Sequence, residues 1–293
     1  MVDRLEMFIA LAQERHFGRA AERLGITQPS LSSAIKALEE SLGVQLVRRG
    51  SRFQGLTAEG EHVYLRALDL VAGMRALKDE MRAARHGLSG DLRIGVIPTA
   101  LPYIADLTAP FTRRHPDLRL AILSRTSAEI LAQLEDQLID VGISYLDDAA
   151  HRRCDCLPLY TEDYALLVPP THELAQRDSV KWQDLQGLPL CLLTRDMQNR
   201  RIVDGHMAAA GVVAQPMIES NSSVALLAHV LTGSQVSVVA RRLAQLFDQS
   251  SKVVAIPIEG GKGQVVGLVA PRRDPAMPAV SALFEAARRS LSG

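Results

Sequence analysis

Between Ala58 and His86 the sequence carries one long helical pattern that holds no proline and only two glycines, Gly60 and Gly73. Along it Val63, Ala67, Leu70, Met74, Leu77, Met81 and Ala84 recur at alternating steps of four and three, the spacing that keeps an apolar stripe facing a partner helix. A helix of about 29 residues spans roughly 43 Å, more than a small domain covers. The pattern therefore divides the chain and leaves a stripe to bury. An amphipathic helix lying on its own domain is one solution. The favoured one is a dimer seam between two copies through Val63, Leu70, Met74, Leu77 and Met81. Thr57 stands where a hydroxyl can cap the helix start.

The two flanks differ in texture. Residues 1–57 read as short helices broken by Gly25, Pro29, Gly43, Gly50 and Gly55. From Asp91 onward, β-rich runs alternate with helical segments; the runs are Leu92–Val96, Leu118–Leu123, Val141–Ser144, Tyr164–Val168, Val236–Val239 and Val265–Val269. Such alternation argues for βαβ units and a mainly parallel sheet. Gly87-Leu88-Ser89-Gly90 reads as a flexible joint. The expected organisation is a domain over 1–57, a linker helix over 58–86, a hinge over 87–90 and an α/β domain over 91–293.

Composition narrows the classes. Lys plus Arg equals Asp plus Glu, 33 each in 293 residues, so any basic surface must be local. The opening residues carry acids and no apolar core of the kind a secretory signal needs. No run of about 18 apolar residues is present, so no membrane span is expected. Three cysteines cannot all pair with one another, which suits a reducing compartment. The cytoplasm is the expected location.

In the first zone Leu5, Phe8, Ile9 and Leu11 give a first helix an apolar face. Arg19-Ala20-Ala21-Glu22-Arg23-Leu24 forms a short second helix whose alanines let another helix approach. Gly25-Ile26-Thr27 makes the turn. Thr27 then caps a third helix, with Pro29 in its first turn where no N–H is needed. Leu31, Ile35 and Leu38 share the inner face of that helix, and Gln28, Ser30, Ser33 and Lys36 lie outward or along the flank. Short polar side chains at a helix start reach base edges, and a lysine suits a phosphate. Leu46 to Thr57 reads as a β-hairpin wing whose arginines, Arg48, Arg49 and Arg52, can straddle a backbone or enter a minor groove.

The ordered run Phe17 to Leu24, Thr27-Gln28-Pro29-Ser30-Leu31-Ser32, Ile35-Lys36-Ala37-Leu38-Glu39, Leu42 to Leu46 and Leu56-Thr57-Ala58-Glu59-Gly60 resembles the LysR-type transcriptional regulators. The layout of the whole chain is similar to that family as well. The resemblance implies a multi-domain α+β protein with an N-terminal winged helix-turn-helix, a linker helix and a two-lobed, periplasmic-binding-protein-like α/β effector domain. It implies that Gln28, Pro29, Ser32 and Ser33 meet the major groove with Arg52 on the wing, and that Arg19 and Lys36 hold phosphates. With the readings above, the expected DNA contacts are Arg19, Thr27, Gln28, Pro29, Ser30, Ser32, Ser33, Lys36, Arg49 and Arg52. Two positions depart from the family's habit. His16 stands where Ser is usual, and Ser33 where Arg is common, which removes a bidentate guanine contact worth about 1–3 kcal/mol of base discrimination.

In an open α/β sheet, ligands bind where loops leave the carboxyl ends of strands. The loop Ile97 to Pro102 places Thr99 and Ala100 beside the free N–H groups of the next helix, a place for a carboxylate or other anion. Ser124-Arg125-Thr126-Ser127 offers hydroxyls and a cation. Thr194 to Arg201 follows an apolar run, and Asn221-Ser222-Ser223 opens another helix. Family resemblance supports a cleft lined near Thr99, Thr126, Gln198 and Ser222, with ordinary helix capping as the alternative role for each hydroxyl. The strands near Tyr160–Tyr164 and Gln264–Val269 would join the lobes.

Other signals are weaker. Ser33-Ala34-Ile35-Lys36 matches a Ser-x-x-Lys nucleophile pattern without its companion motifs and lies inside the third helix. Gly260-Gly261-Lys262-Gly263 lacks the spacing of a phosphate loop and fits a turn between strands. Cys154-Asp155-Cys156 invites a metal or redox reading, with Arg152 and Arg153 favouring thiolate, but the further ligands of a zinc site are not apparent and ordinary reduced thiols are the default. Cys191 reads as core. A solute-uptake binding protein would explain only the second half, and an enzyme has no defensible catalytic set or cofactor fingerprint. The expected protein is thus a non-enzymatic regulator with no cofactor or metal. Its expected partners are double-stranded DNA, a small anionic effector of carboxylate type, RNA polymerase, and copies of itself as dimer and tetramer. The resemblance implies activation with autorepression.

Overall fold

The computed structural model describes residues 1–48, 53–248, 252–273 and 276–292. The chain divides into two compact units between His86 and Gly87.

The first unit contains α1 (Val2–Glu14), α2 (Phe17–Leu24), α3 (Gln28–Leu42) and α4 (Ala58–His86). Leu5, Phe8 and Leu11 of α1, Ala20 and Ala21 of α2, and Leu31, Ile35 and Leu38 of α3 are buried together with Leu46 and Val47. The small residues of α2 permit this close three-helix approach, and burial of the larger ones, at about 1.5–3 kcal/mol each, holds it. The Glu39 carboxylate of α3 accepts from the backbone N–H of Leu46 (2.8 Å) and Val47 (3.2 Å), fixing where the wing leaves the helix. Val47 and Leu56 form an antiparallel bridge at the wing base. Arg49 and Arg52, expected on the wing, lie outside the described residues.

α4 is anchored where it begins. The Thr57 hydroxyl accepts from Gly60 N–H (2.9 Å) and donates to the Gln45 carbonyl (2.6 Å). Gly60 packs so tightly on Leu46 that a Cβ there would sit 2.0 Å from the Leu46 carbonyl oxygen. The apolar stripe then divides. Ala67 is buried and Val63 partly buried against the unit's own core. Leu70, Met74, Leu77 and Met81 stay exposed in the single chain.

The second unit has two lobes. In the first, β1 (Gly90–Val96), α5 (Leu101–Arg114), β2 (Leu118–Ser124), α6 (Ser127–Glu135), β3 (Val141–Tyr145) and α7 (Asp148–Arg153) precede β4 (Cys154–Glu162). The second lobe runs through β5 (Tyr164–Val168), β6 (Val180–Lys181), β7 (Cys191–Leu193), α8 (Gln198–Ala209), β8 (Ile218–Ser220), α9 (Ser223–Leu231), β9 (Ser237–Ala240), α10 (Arg241–Asp248) and β10 (Val254–Glu259). β11 (Gln264–Pro271) returns to the first lobe before α11 (Pro278–Ser292). The first sheet has the order β2-β1-β3-β11-β4 and the second β6-β10-β5-β9, with β7 and β8 paired beside them.

A mainly parallel sheet is therefore only half right. β1 pairs parallel with β2 and β3, but β11 runs antiparallel to both β3 and β4, and β5 runs antiparallel to β9 and β10. The reason is the double crossing: a strand that re-enters a lobe from its neighbour arrives against the direction of the strands built there. Gly260 and Gly261, at φ 85° and 92°, make the turn before the return strand, which is the turn reading of that glycine cluster.

Gly60→Ala should destabilise the protein by about 1–3 kcal/mol through overpacking against rigid backbone. Gly73→Ala, where an added Cβ meets nothing within 4 Å, should be neutral or stabilising by up to about 1 kcal/mol. Thermal melts of the two variants check this; equal behaviour would show that the Gly60–Leu46 contact can relax.

Candidate DNA interface and effector cleft

α2 and α3 are set by their caps. His16 caps α2, its Nδ1 accepting from Arg19 N–H at 3.3 Å; the imidazole does here what a hydroxyl does in a serine cap. Thr27 caps α3, accepting from Ser30 N–H at 3.3 Å, and its hydroxyl lies 2.8 Å from that of Ser30. Thr27, Gln28, Pro29, Ser30, Ser32, Ser33 and Lys36 are all exposed. With Leu31, Ile35 and Leu38 taken by the core, the start of α3 is a rigid polar ridge. The Lys36 ammonium lies 3.9 Å from Glu40, with both side chains largely in solvent, a contact too weak to withhold it from a phosphate. The Arg19 guanidinium donates to the Glu14 carbonyl at 2.6 Å, which holds it at the α1–α2 junction.

In the second unit the predicted effector residues separate into two groups. Thr126 and Ser222 are caps. Thr126 N–H donates to the Glu129 carboxylate (2.8 Å) and Glu129 N–H donates back to the threonine hydroxyl (3.2 Å); Ser222 accepts from Ala225 N–H at 3.4 Å. Their oxygens already serve the backbone. Ala100 is fully buried behind the short turn Pro98–Ala100. Gln198, the first residue of α8, donates from Nε2 to Asp147 Oδ2 at 3.3 Å, joining the second lobe to the loop after β3. Thr99 is only 3% exposed, its hydroxyl 3.4 Å from that of Tyr145.

Behind Thr99 lies a group not singled out from sequence. Glu162, at the end of β4, is 2% exposed. Its Oε1 accepts from Tyr145 OH (2.5 Å), Asn199 Nδ2 (3.2 Å) and Tyr164 OH (3.4 Å), and Asn199 also donates to the Tyr145 oxygen at 3.2 Å. Tyr145 closes β3 in one lobe, Asn199 opens α8 in the other, and Glu162 and Tyr164 flank the crossing between them. Burial raises the Glu162 pKa, and the hydrogen bonds from Tyr145, Thr99, Asn199 and Tyr164 act against that rise. Burial likewise pushes Tyr145 well above its ordinary value, helped by the charge of Glu162. Although the Thr99 hydroxyl is near the carboxyl, no well-formed hydrogen bond from a described residue reaches Glu162 Oε2. A signal existed: Tyr160, Glu162 and Tyr164 share one face by period-two alternation, so an acid lies on the same side as two aromatic residues.

Residues 2–61 match the family model described as bacterial regulatory helix-turn-helix protein, lysR family, and residues 85–292 match the LysR substrate binding domain. This chain belongs to the LysR family. Among relatives, the probable hydrogen peroxide-inducible genes activator of Mycobacterium leprae is 34% identical over 190 residues, covering 64% of this chain and 61% of that relative. The DNA-binding transcriptional dual regulator OxyR of Escherichia coli is 29% identical over 291 residues, 99% of this chain and 95% of its own. Among solved structures, a full-length cysteine-to-aspartate OxyR variant from Pseudomonas aeruginosa shows a TM-score of 0.74 at 26% identity, covering 98% of this chain and 94% of that one. This LysR-family chain is therefore a DNA-binding transcriptional regulator with a helix-turn-helix and an activator's kinship, and no helix among its described residues is long and apolar enough to cross a membrane. The family is one of regulators, not enzymes.

The thiols of this LysR-family chain are shielded. Cys154 and Cys191 are buried and Cys156 half-buried, all three free. Burial raises Cys154 to about 11 and lifts Cys156 and Cys191 as well, so the thiolate that Arg152 and Arg153 were expected to favour is disfavoured.

Two outcomes follow from this geometry. Gln28→Ala should cost about 1–3 kcal/mol in operator affinity, roughly five- to 150-fold in Kd at fixed salt, because Gln28 stands exposed at the start of α3 where side chains reach base edges. Gel-shift titration measures it, and unchanged affinity would move the contact elsewhere. For Glu162, a folded pKa above the unfolded value means the native state holds a proton the unfolded chain has lost. Stability therefore falls as pH rises above about 4.5, through the window up to the folded pKa. Glu162→Gln has no such proton, so its melting temperature should decline less than wild type over that window in paired melts.

Proposed function

We propose that this LysR-family protein is a cytoplasmic, effector-gated activator, repressing its own gene, that binds promoter DNA through the exposed start of α3 and responds to a small molecule held between the lobes of its second unit. Domain assignments of 1–57 to DNA, 58–86 to dimerisation, 87–90 to a hinge and 91–293 to the effector belong to the same reading. The observation that carries it is the set of polar contacts running from lobe to lobe. Gln198 meets Asp147, and Asn199 meets both Tyr145 and Glu162. Polar contacts of this kind, in place of an apolar seal, can be exchanged for ligand contacts at little net cost. A ligand that prefers one arrangement of the lobes shifts the population toward it.

The exposed Leu70, Met74, Leu77 and Met81 support assembly through α4, since four large apolar side chains on one helix seek cover. A tetramer through the second units and contact with RNA polymerase complete the proposal on family grounds. The carboxylate class of effector, expected from Thr99 beside free N–H groups, has weaker footing. The Thr99 hydroxyl lies against Tyr145, and a buried carboxyl stands behind it.

The names of the relatives bring a second reading, response to hydrogen peroxide. Thiol oxidation requires accessible thiolate; Cys154 and Cys191 are buried, Cys156 is half-buried, and burial shifts all three away from thiolate. Peroxide treatment should therefore leave all three thiols titratable in the denatured protein and leave the promoter footprint unchanged. Loss of two thiols accompanied by an altered footprint would establish the peroxide reading instead.

The gating proposal is tested with full-length protein on a fragment of its own promoter, adding candidate metabolites and following both the footprint and Trp182 fluorescence. Trp182 is suited to the task because its ring lies 5.8 Å from that of Tyr164, which contacts Glu162. A true effector should alter both signals. A compound that alters transcription through this protein without perturbing the second unit would overturn the cleft assignment.

A further inference from the structure

Glu162 has one oxygen crowded with donors and one that no well-formed hydrogen bond from a described residue reaches, although the Thr99 hydroxyl is near. Tyr145, Tyr164 and Asn199 all donate to Oε1, an environment that orients the carboxyl and leaves Oε2 as a buried acceptor without a well-formed partner. An unpaired buried acceptor costs about 1–3 kcal/mol, more when charged, and a donor brought to it recovers that cost. Two hydroxyls in the same condition stand at other strand ends of the second unit: Ser127 at the first residue of α6 and Thr194 just past β7. These are the carboxyl-end positions of the two lobes where ligands of open α/β sheets bind.

Arginines at the same loop ends do not answer this charge. Arg125 donates to the Ser124 carbonyl (2.8 Å) and Gln133 (3.3 Å), and Arg201 to the Asp196 carbonyl (3.0 Å). Gln198 is engaged by Asp147. Arg200, 1% exposed, is paired with Asp204 and Glu219 and donates to the Leu193 carbonyl, whereas Glu162, 2% exposed, keeps Oε2 without a well-formed partner among the described residues.

We propose that Glu162 Oε2 is the acceptor that selects the effector, and that the cleft takes a small molecule bearing a hydrogen-bond-donating head, an ammonium or amine, in preference to a bare carboxylate. This rests on the reading of the interlobe cleft as the effector site. Donation to Oε2 from the ligand, together with the three donors already on Oε1, completes the solvation of a carboxylate that folding has withdrawn from water. Because the recognising group belongs to the crossing between lobes and not to either lobe alone, the ligand is read where movement of one lobe against the other is hinged.

Glu162→Gln makes the test sharp, since the amide can place an N–H donor where Oε2 was an acceptor. Full-length wild type and variant are melted with methylammonium, ethylammonium and ethanolamine, and with formate, acetate and propionate, at matched ionic strength. In wild type the ammonium probes should raise Tm by about 2–4 °C at a tenfold excess over Kd while the carboxylates leave it unchanged. In the variant the order should reverse, which a purely structural role for Glu162 would not produce. Carboxylates that raise the wild-type Tm while ammonium probes do not would overturn the donor preference and leave the cleft reading intact. An equal ammonium shift in wild type and variant would remove Glu162 from recognition. If no probe of either class moves Tm, the inference fails, and the promoter footprint with metabolites then decides the cleft reading separately. Should Glu162→Gln not fold, infrared difference spectra of the wild type serve in its place. Ethylammonium binding should perturb a buried carboxyl band, and a silent carboxyl region would overturn the proposal.

Discussion

A carboxyl withdrawn from water at the point where the chain passes between two lobes is costly to hold, and much of the local architecture answers to it. Glu162 is tolerable only because Tyr145, Tyr164 and Asn199 arrive together on one oxygen. That convergence demands that β3 end, α8 begin and β4 pass into β5 in mutual register. Each donor comes from a different element, so the network reports whether the lobes are correctly assembled. It is also a poor place for a static core. An apolar plug of equal volume would be cheaper to bury.

The first unit depends on a simpler constraint, the removal of degrees of freedom from a reading helix. Thr27 fixes where α3 begins, Glu39 fixes the departure of the wing, and three apolar side chains fix the rotation of the helix about its axis. What is left outward is short and polar. His16 shows how such a scaffold absorbs change: a ring nitrogen takes up the capping bond, and Gly18 leaves room for the ring, whose nearest atom is 3.1 Å from where a Cβ would be.

Local patterns carried much of this in the sequence. The long helix was legible because stripe periodicity and the lack of proline agree over Ala58–His86, and the three helices before it because their caps and turn glycines are local signals. Strands β1, β2, β3, β5, β9 and β11 were legible from apolar runs. β4 was harder, since Pro158 interrupts it opposite Gly267, at the point where the ladder shifts register. The antiparallel return was invisible to local pattern, being set by which lobe the chain re-enters. For the cleft, hydroxyls at helix starts are legible but ambiguous, and two of them, Thr126 and Ser222, serve as caps. Glu162 escaped notice because burial of an acid is decided by groups more than thirty residues away in Asn199 as well as by its neighbours.

The close packing of Gly60 on Leu46 has a mechanical consequence. With that contact at one end and Ala67 and Val71 buried against the same core, α4 and the reading helix form a single stiff body. Just beyond its other end Gly87 and Gly90 take φ of 80° and 105°, backbone conformations that suit glycine. A 29-residue helix is then a lever arm of about 43 Å. Tilting a rod of that length by roughly ten degrees about one end carries the other through about 7 Å, or about two base-pair steps of duplex DNA. A helix of this length thus relates small angles to distances on the scale of operator spacing.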